Sequence, residues 1–227
     1  MKKGFGDYSK SKKTNLNKIS ELKLIEKAIK LHSEGEINQA ILHYKECINR
    51  NLNNPDIYYN YGIILYELNS FKEAEIYTKK AIEIKPDFAS AYNNLGNIQR
   101  SLEKYFDAEI SFQKSIEINP NDAIFYFNLG NIQKQLKKYF DAEISFQKSI
   151  EINPNLAEVY NNLGNVLKES GKYKEAKDYL LKSIEINPNF AEAFNNLGGV
   201  LKDLGNTLDA EINFKKAIKL KYYYRCL

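Results

Sequence analysis

Asparagine and lysine at a fixed interval are the residues of this chain whose types and spacing could do chemistry. Asn60, Asn94, Asn128, Asn162 and Asn196 stand 34 residues apart. Asn97, Asn131 and Asn165 follow three residues after the middle members, and Arg100, Lys134, Lys168 and Lys202 follow six residues after the last four. A primary amide both donates and accepts hydrogen bonds, so a ladder of amides can grip the main chain of an extended peptide. A basic row beside it could draw an acidic peptide. Asparagine is a poor helix former, costing several tenths of a kcal/mol against alanine at each interior site, so five in one row call for an explanation.

Other chemistries lack their parts. His32 and His43 are the only histidines, and neither forms a set with a nucleophile. Cys47 and Cys226 have no metal-ligand spacing. Glu109, Glu143 and Glu211 recur on one face and read as solvated residues rather than catalytic acids. There is no phosphate-binding loop or dinucleotide fingerprint. No catalytic residue, metal site or cofactor is expected.

Composition narrows the partners. The 227 residues are 43% hydrophobic and 27% charged, which fits a folded, soluble chain. The formal net charge is +4, but residues 1–20 hold six lysines against Asp7, leaving the rest at −1. A neutral body argues against nucleic acid, since phosphate binding needs a basic surface. No apolar run approaches the roughly 20 residues of a membrane span, and the Lys-rich start lacks the apolar stretch of a secretory signal. Two cysteines without a framework suit the reducing cytoplasm. The oligomeric state is open.

The elements that must position the amides are set by a repeat. Pro86, Pro120, Pro154 and Pro188 are 34 residues apart, and the segment Lys104–Asn121 recurs unchanged as Lys138–Asn155. Counting position 1 at Glu21, Pro55, Ala89, Ala123, Ala157 and Ala191 aligns six units. Position 8 is then Ala28 or glycine (Gly62, Gly96, Gly130, Gly164, Gly198), and position 20 is alanine throughout, from Ala40 to Ala210. Positions 4, 7, 8 and 11 share one stripe of a first helix, and positions 20, 24, 27 and 28 share one stripe of a second. Small residues at 8 and 20 let the pair approach closely. Proline at 32 forces the turn, with Asp87, Asn121, Asn155 and Asn189 as candidate N-caps of the next first helix. Positions 2, 6, 9 and 13 lie opposite the core stripe and are expected to face a groove.

The pattern Y-x-x-L-G … A … F-x-x-S-I … P resembles the tetratricopeptide repeat family over residues 21–221. Units 1 and 6 depart from it, with Lys27 at position 7, and Leu52 and Tyr222 where proline is expected. The resemblance implies an all-α fold, a right-handed superhelical α-solenoid of six helix-turn-helix units (21–54, 55–88, 89–122, 123–156, 157–190 and 191–221). A basic, disordered tail is expected over 1–20 and a short tail over 222–227, with Tyr222–Tyr224 covering the end of the last helix. First helices line the concave face in this family, so the resemblance implies a non-enzymatic scaffold or adaptor that binds a protein segment there. The row Asn162–Lys168, with its N-L-G-N-x-x-K wording, also resembles the repeat region of O-GlcNAc transferases, where such asparagines hold substrate backbone. That likeness implies an alternative, the substrate-recognition arm of a transferase whose catalytic part is absent. The family's clamp for acidic C-terminal tails needs Lys at position 2 and Arg at position 6, and this chain has no such pair. RNA readers of similar repeat length vary their reading side chains, whereas position 6 here is uniform.

Overall fold

The structure, a computed structural model, describes the backbone of residues 6–223 and the side chains of residues 20–221. Among the described residues the chain forms twelve helices in sequence. The helices α1 (Gly6–Ser33) and α2 (Ile37–Asn49) pack as a pair, as do α3 (Pro55–Glu67) and α4 (Phe71–Ile84), and α5 (Ala89–Ser101) precedes α6 (Tyr105–Ile118) in the chain. Then come α7 (Ala123–Gln135) with α8 (Tyr139–Ile152), α9 (Ala157–Glu169) with α10 (Tyr173–Ile186), and α11 (Ala191–Asp203) with α12 (Thr207–Tyr223). No strand occurs among the described residues, so the fold is an all-α solenoid of helix-turn-helix repeats. The chain divides into two compact halves, residues 1–102 and 103–227, at the turn between α5 and α6.

Each stop and start has a local cause. The second helices α4, α6, α8 and α10 end two residues before Pro86, Pro120, Pro154 and Pro188, because the residue preceding proline is pushed out of the helical region. The intervening Lys85, Asn119, Asn153 and Asn187 are extended. Inside each pair the first helix ends in a turn whose position 15 is left-handed in all six repeats: Gly35, Asn69, Glu103, Lys137, Gly171 and Gly205. The next backbone N–H then bonds back five residues, as in Lys138 to Gln133 at 2.9 Å and Lys172 to Leu167 at 2.9 Å, which closes a Schellman-type end. Glutamate and lysine occupy the left-handed turn twice, against local preference, so the register of the pair overrides residue propensity there.

Two expectations need correction. The caps are Asn54, whose side chain accepts from the Asp56 N–H at 2.8 Å, and Asp122, which accepts from Ile124 at 2.9 Å. Asn121, Asn155 and Asn189 do not cap; their own N–H groups donate to Asn119, Asn153 and Asn187 in Asx turns ahead of the helix. The helix α1 also reaches back to Gly6, into the segment read as a disordered tail, since no proline or glycine lies between Asp7 and Ser20 to stop it. The Tyr222–Tyr224 side chains lie outside the described residues.

Packing follows the small positions. Ala40, Ala74, Ala108, Ala142 and Ala176 are fully buried. Ser149 and Ser183 at position 27 donate to the first carbonyl of their own repeat, Ala123 at 2.7 Å and Ala157 at 2.8 Å. The buried stripe of the first helices is wider than expected. Ile57, Ala91, Phe125, Val159 and Ala193 at position 3, and Ile64, Ile98, Ile132, Val166 and Val200 at position 10, are all buried. The first helices α7, α9 and α11 each meet their own second helix on one side and the preceding second helix on the other, so two faces must be apolar. In the C-terminal half the core runs from Phe112, Leu129 and Ile132 to Phe146, Leu163, Leu180 and Leu197.

Charged side chains tie neighbouring repeats. Glu109 is only 7% exposed, and the Lys138 Nζ of the next repeat donates to its Oε1 and Oε2 at 2.9 and 2.7 Å. Glu143 pairs with Lys172 in the same way, at 3.0 and 2.9 Å. The expectation of solvated residues is corrected for both: Glu109 is buried and Glu143 partly buried, each held by the lysine at the start of the next second helix. Glu211 is exposed and pairs with Lys215 on its own helix. Lys138→Ala would leave the Glu109 carboxylate without its cation in a nearly closed site. A loss of about 1–2 kcal/mol is expected by urea denaturation, below the figure for a fully buried pair because Lys138 keeps contact with water. Glu109→Gln with Lys138→Met should recover most of that loss.

Candidate functional face of the first helices

First helices of successive repeats touch within each half: α1 with α3 and α3 with α5, then α7 with α9 and α9 with α11. The asparagine rows therefore stand side by side on adjacent helices. They do not all face open solvent, as helical spacing alone suggested. Asn128 is 8% exposed and Asn161 is 1% exposed, while Asn60, Asn94, Asn162 and Asn196 are half-buried. The cause is the neighbouring first helix, which covers part of the face opposite the core.

In the C-terminal half much of the amide row is engaged internally. The Asn162 side chain donates to Asn131 Oδ1 at 2.7 Å, 31 residues earlier, and the Asn196 side chain donates to Asn161 Oδ1 at 2.9 Å. Asn161 in turn donates to Glu192 Oε1 at 3.3 Å. These bonds pin α9 to α7 and α11 to α9. Asparagine in these helices is thus accounted for in part by bonds between repeats, a role invisible to spacing within one unit. Asn165 is half-buried on the same face, and no bond from its side chain enters this network.

The basic row splits by surroundings. Lys202 is exposed. Lys168 is half-buried, reaches α11, lies 3.8 Å from Asp203 Oδ2, and crosses Gly199, where an added Cβ would still stand 3.5 Å from Nζ. Lys134 is half-buried and contacts Asn162 Oδ1 at 3.4 Å, with no carboxylate in ion-pair range among the described residues. Burial pulls its pKa below the ordinary lysine value, and the more distant Glu192 offsets this only partly. A lysine held in this way favours an arriving carboxylate.

In the N-terminal half the row is more aromatic. Asn60 and Asn97 are half-buried, and the Asn94 amide nitrogen is buried without a hydrogen-bond partner. Arg100 is half-buried at the end of α5. The Tyr59 ring packs at 4.7 Å on Phe88, and burial raises its hydroxyl pKa. His32 sets its ring edge-on to the fully buried Tyr44 at 6.1 Å, and the Tyr66 ring packs on Phe71 at 5.5 Å, so both serve packing in their own repeats. Among the described residues no group of three or more His, Cys, Asp or Glu could hold a metal ion, and no helix is long and apolar enough to cross a membrane.

Comparisons with known proteins agree with this architecture. Profiles of the tetratricopeptide repeat match residues 89–122 and 157–190, 111–144 and 179–212, and 55–88, and a related repeat profile matches 28–69. No curated protein matches the chain. Among solved structures, MamA superposes with a TM-score of 0.68 at 24% identity, over 73% of this chain and 97% of that one. YrrB, described as a repeat protein with an unusual peptide-binding site, gives a TM-score of 0.66 at 26% identity, over 78% of this chain and 91% of that one. PilF of Pseudomonas aeruginosa gives a TM-score of 0.75 at 18% identity, over 92% and 93%.

Proposed function

Because the chain belongs to the tetratricopeptide repeat family, we propose that it is a protein-interaction scaffold whose first-helix face holds an extended, acidic segment of another protein. The observation that carries this reading is Lys134, half-buried among the amides of Asn131 and Asn162 and lacking a carboxylate of its own. In the C-terminal half Asn165 offers its amide to ligand backbone, Asn128 and Asn196 frame the row, and Lys168 and Lys202 add positive charge; in the N-terminal half Asn97, Asn60, Asn94 and Arg100 hold the equivalent positions. The role is binding rather than catalysis, in the cytoplasm and without nucleic acid. The buried free thiol of Cys47 suits that compartment. A peptide-binding relative at 26% identity supports the same class of ligand. The likeness of Asn162–Lys168 to the O-GlcNAc transferase row supports, more narrowly, a backbone-gripping use of these amides in a substrate-recognition arm.

Asn165→Ala with Lys134→Ala tests the reading while leaving the Asn131–Asn162 bond in place. A lost amide bond contributes about 0.5–1.5 kcal/mol and a lost charge-assisted bond about 1.5–3 kcal/mol, so affinity for the partner isolated with the full chain should fall at least tenfold. The wild-type complex should also weaken with added salt more than the variant does. Calorimetry showing equal affinity for both proteins would move the binding surface off this face.

A further inference from the structure

A cavity of about 590 Å³ opens in the C-terminal half between α6 and α8, over α7. Ile116, Tyr126, Leu129 and Ile144 give it apolar walls around the buried Ser145, the exposed amides of Gln113 and Gln147 border it, and Glu117, Lys148 and Glu151 complete the lining. Its origin can be read from the other repeats. Position 23, held here by Ser145, is Tyr77 in repeat 2 and Tyr179 in repeat 5. The Tyr77 ring packs at 4.8 Å on Tyr61 and 6.5 Å on Tyr58, and the Tyr179 ring at 6.2 Å on Tyr160. Tyr58 and Tyr160 hold position 4, where repeat 4 has Tyr126, and Tyr61 holds position 7, where repeat 4 has Leu129. Repeat 4 therefore keeps the walls of a phenol site and lacks the phenol.

A second residue differs between repeat 4 and the two repeats that carry the tyrosine. Position 11 is Leu65 and Leu167 in the repeats that carry the tyrosine, but Gln133 in repeat 4. The Ser145 Oγ donates to Gln133 Oε1 at 2.7 Å, and both residues are buried. The Ser145 hydroxyl and the Gln133 side-chain oxygen satisfy each other and hold the floor in place, so the cavity is built rather than collapsed. Tyr77 and Tyr179 are only half-buried where they sit. The equivalent position in repeat 4 thus opens outward, and a ring can arrive there from outside.

We propose that this cavity is a recognition pocket for the phenol ring of a tyrosine carried by a partner polypeptide. The ring takes the place that Tyr77 and Tyr179 fill in their own repeats, edge or face on Tyr126, and its hydroxyl meets the Gln113 and Gln147 amides. The exposed Ile144 lines the cavity, and Phe106, Ile110 and Phe140 are exposed further along the same two helices, apolar surface suited to the residues flanking an inserted tyrosine and of no use to a free phenol. The pocket lies on the second-helix side and does not depend on the first-helix face described above.

The test uses the full chain, amide NMR and a soluble Gly/Ser peptide bearing one central tyrosine flanked by leucines. Saturable shifts are expected at Gln113, Tyr126, Ser145 and Gln147, and a peptide with serine in place of that tyrosine should bind at least about tenfold more weakly. Gln133→Leu with Ser145→Tyr refills the site from within; its melting temperature should rise and the peptide shifts should vanish. Tyr126→Ala removes a wall and should weaken binding severalfold. Absence of saturable shifts with the tyrosine peptide, or shifts that survive in the refilled variant, would overturn the proposal. Binding of N-acetyl-tyrosinamide as tight as that of the peptide would assign the pocket to a small phenol and overturn the polypeptide source.

Discussion

Phe146→Ala is expected to destabilise the C-terminal half by about 3–5 kcal/mol, the usual range for emptying a fully buried aromatic site. Phe146 has no exposed surface, and its ring packs 6.1 Å from Phe127. The reason for a loss at the upper end is the glycine opposite. A Cβ built at Gly130 would stand 2.6 Å from the Phe146 ring, so α7 and α8 are held at a separation that only this ring fills. The measurement is the urea midpoint read by a probe within residues 103–227, because the two halves need not melt together. Gly130→Ala alone should destabilise through the clash, and in Phe146→Ala it should cost little or even help, since the added methyl enters the vacated volume. A double-mutant cycle showing simple additivity would mean that the two positions do not face each other.

Gly164→Val is expected to cost about 3 kcal/mol, at the upper end for overpacking. A Cβ there would come within 2.7 Å of Leu180 Cγ and 3.2 Å of the Ala176 carbonyl. A side chain can turn aside; the backbone carbonyl of α10 cannot, so the helix pair must separate. Gly199 supplies the contrast within the same structure. A Cβ there would meet only Lys168 at ordinary distance, so Gly199→Ala should stabilise by about 0.5–1 kcal/mol through helix propensity alone. Opposite shifts of the melting temperature for these two glycines would establish the close approach of α9 and α10; equal shifts would refute the repeat register.

The six repeats, their helix pairs and the termination of the second helices were legible in the chain because each depends on neighbours within one turn or one unit. Alanine at position 20, glycine at position 8 and proline at position 32 act locally, and their recurrence every 34 residues multiplies a weak signal into a decisive one. The candidate rows of asparagine and lysine were legible for the same reason. Their surroundings were not. Asn162 bonds to Asn131 and Lys138 to Glu109 across 31 and 29 residues, a relation set by the stacking of one repeat on the next. Helical spacing within a unit carries no information about that stacking, so it left Glu109 in solvent and the whole amide row in an open groove. The left-handed turn at position 15 was equally hidden, since glycine, asparagine, glutamate and lysine all occupy it. The serine at position 145 could be seen to differ from Tyr77 and Tyr179, but only the packed helices decide whether a missing ring is filled by collapse or left as a cavity. Backbone pairs locked by small residues cannot close on a gap one ring wide, and that rigidity is a tertiary property.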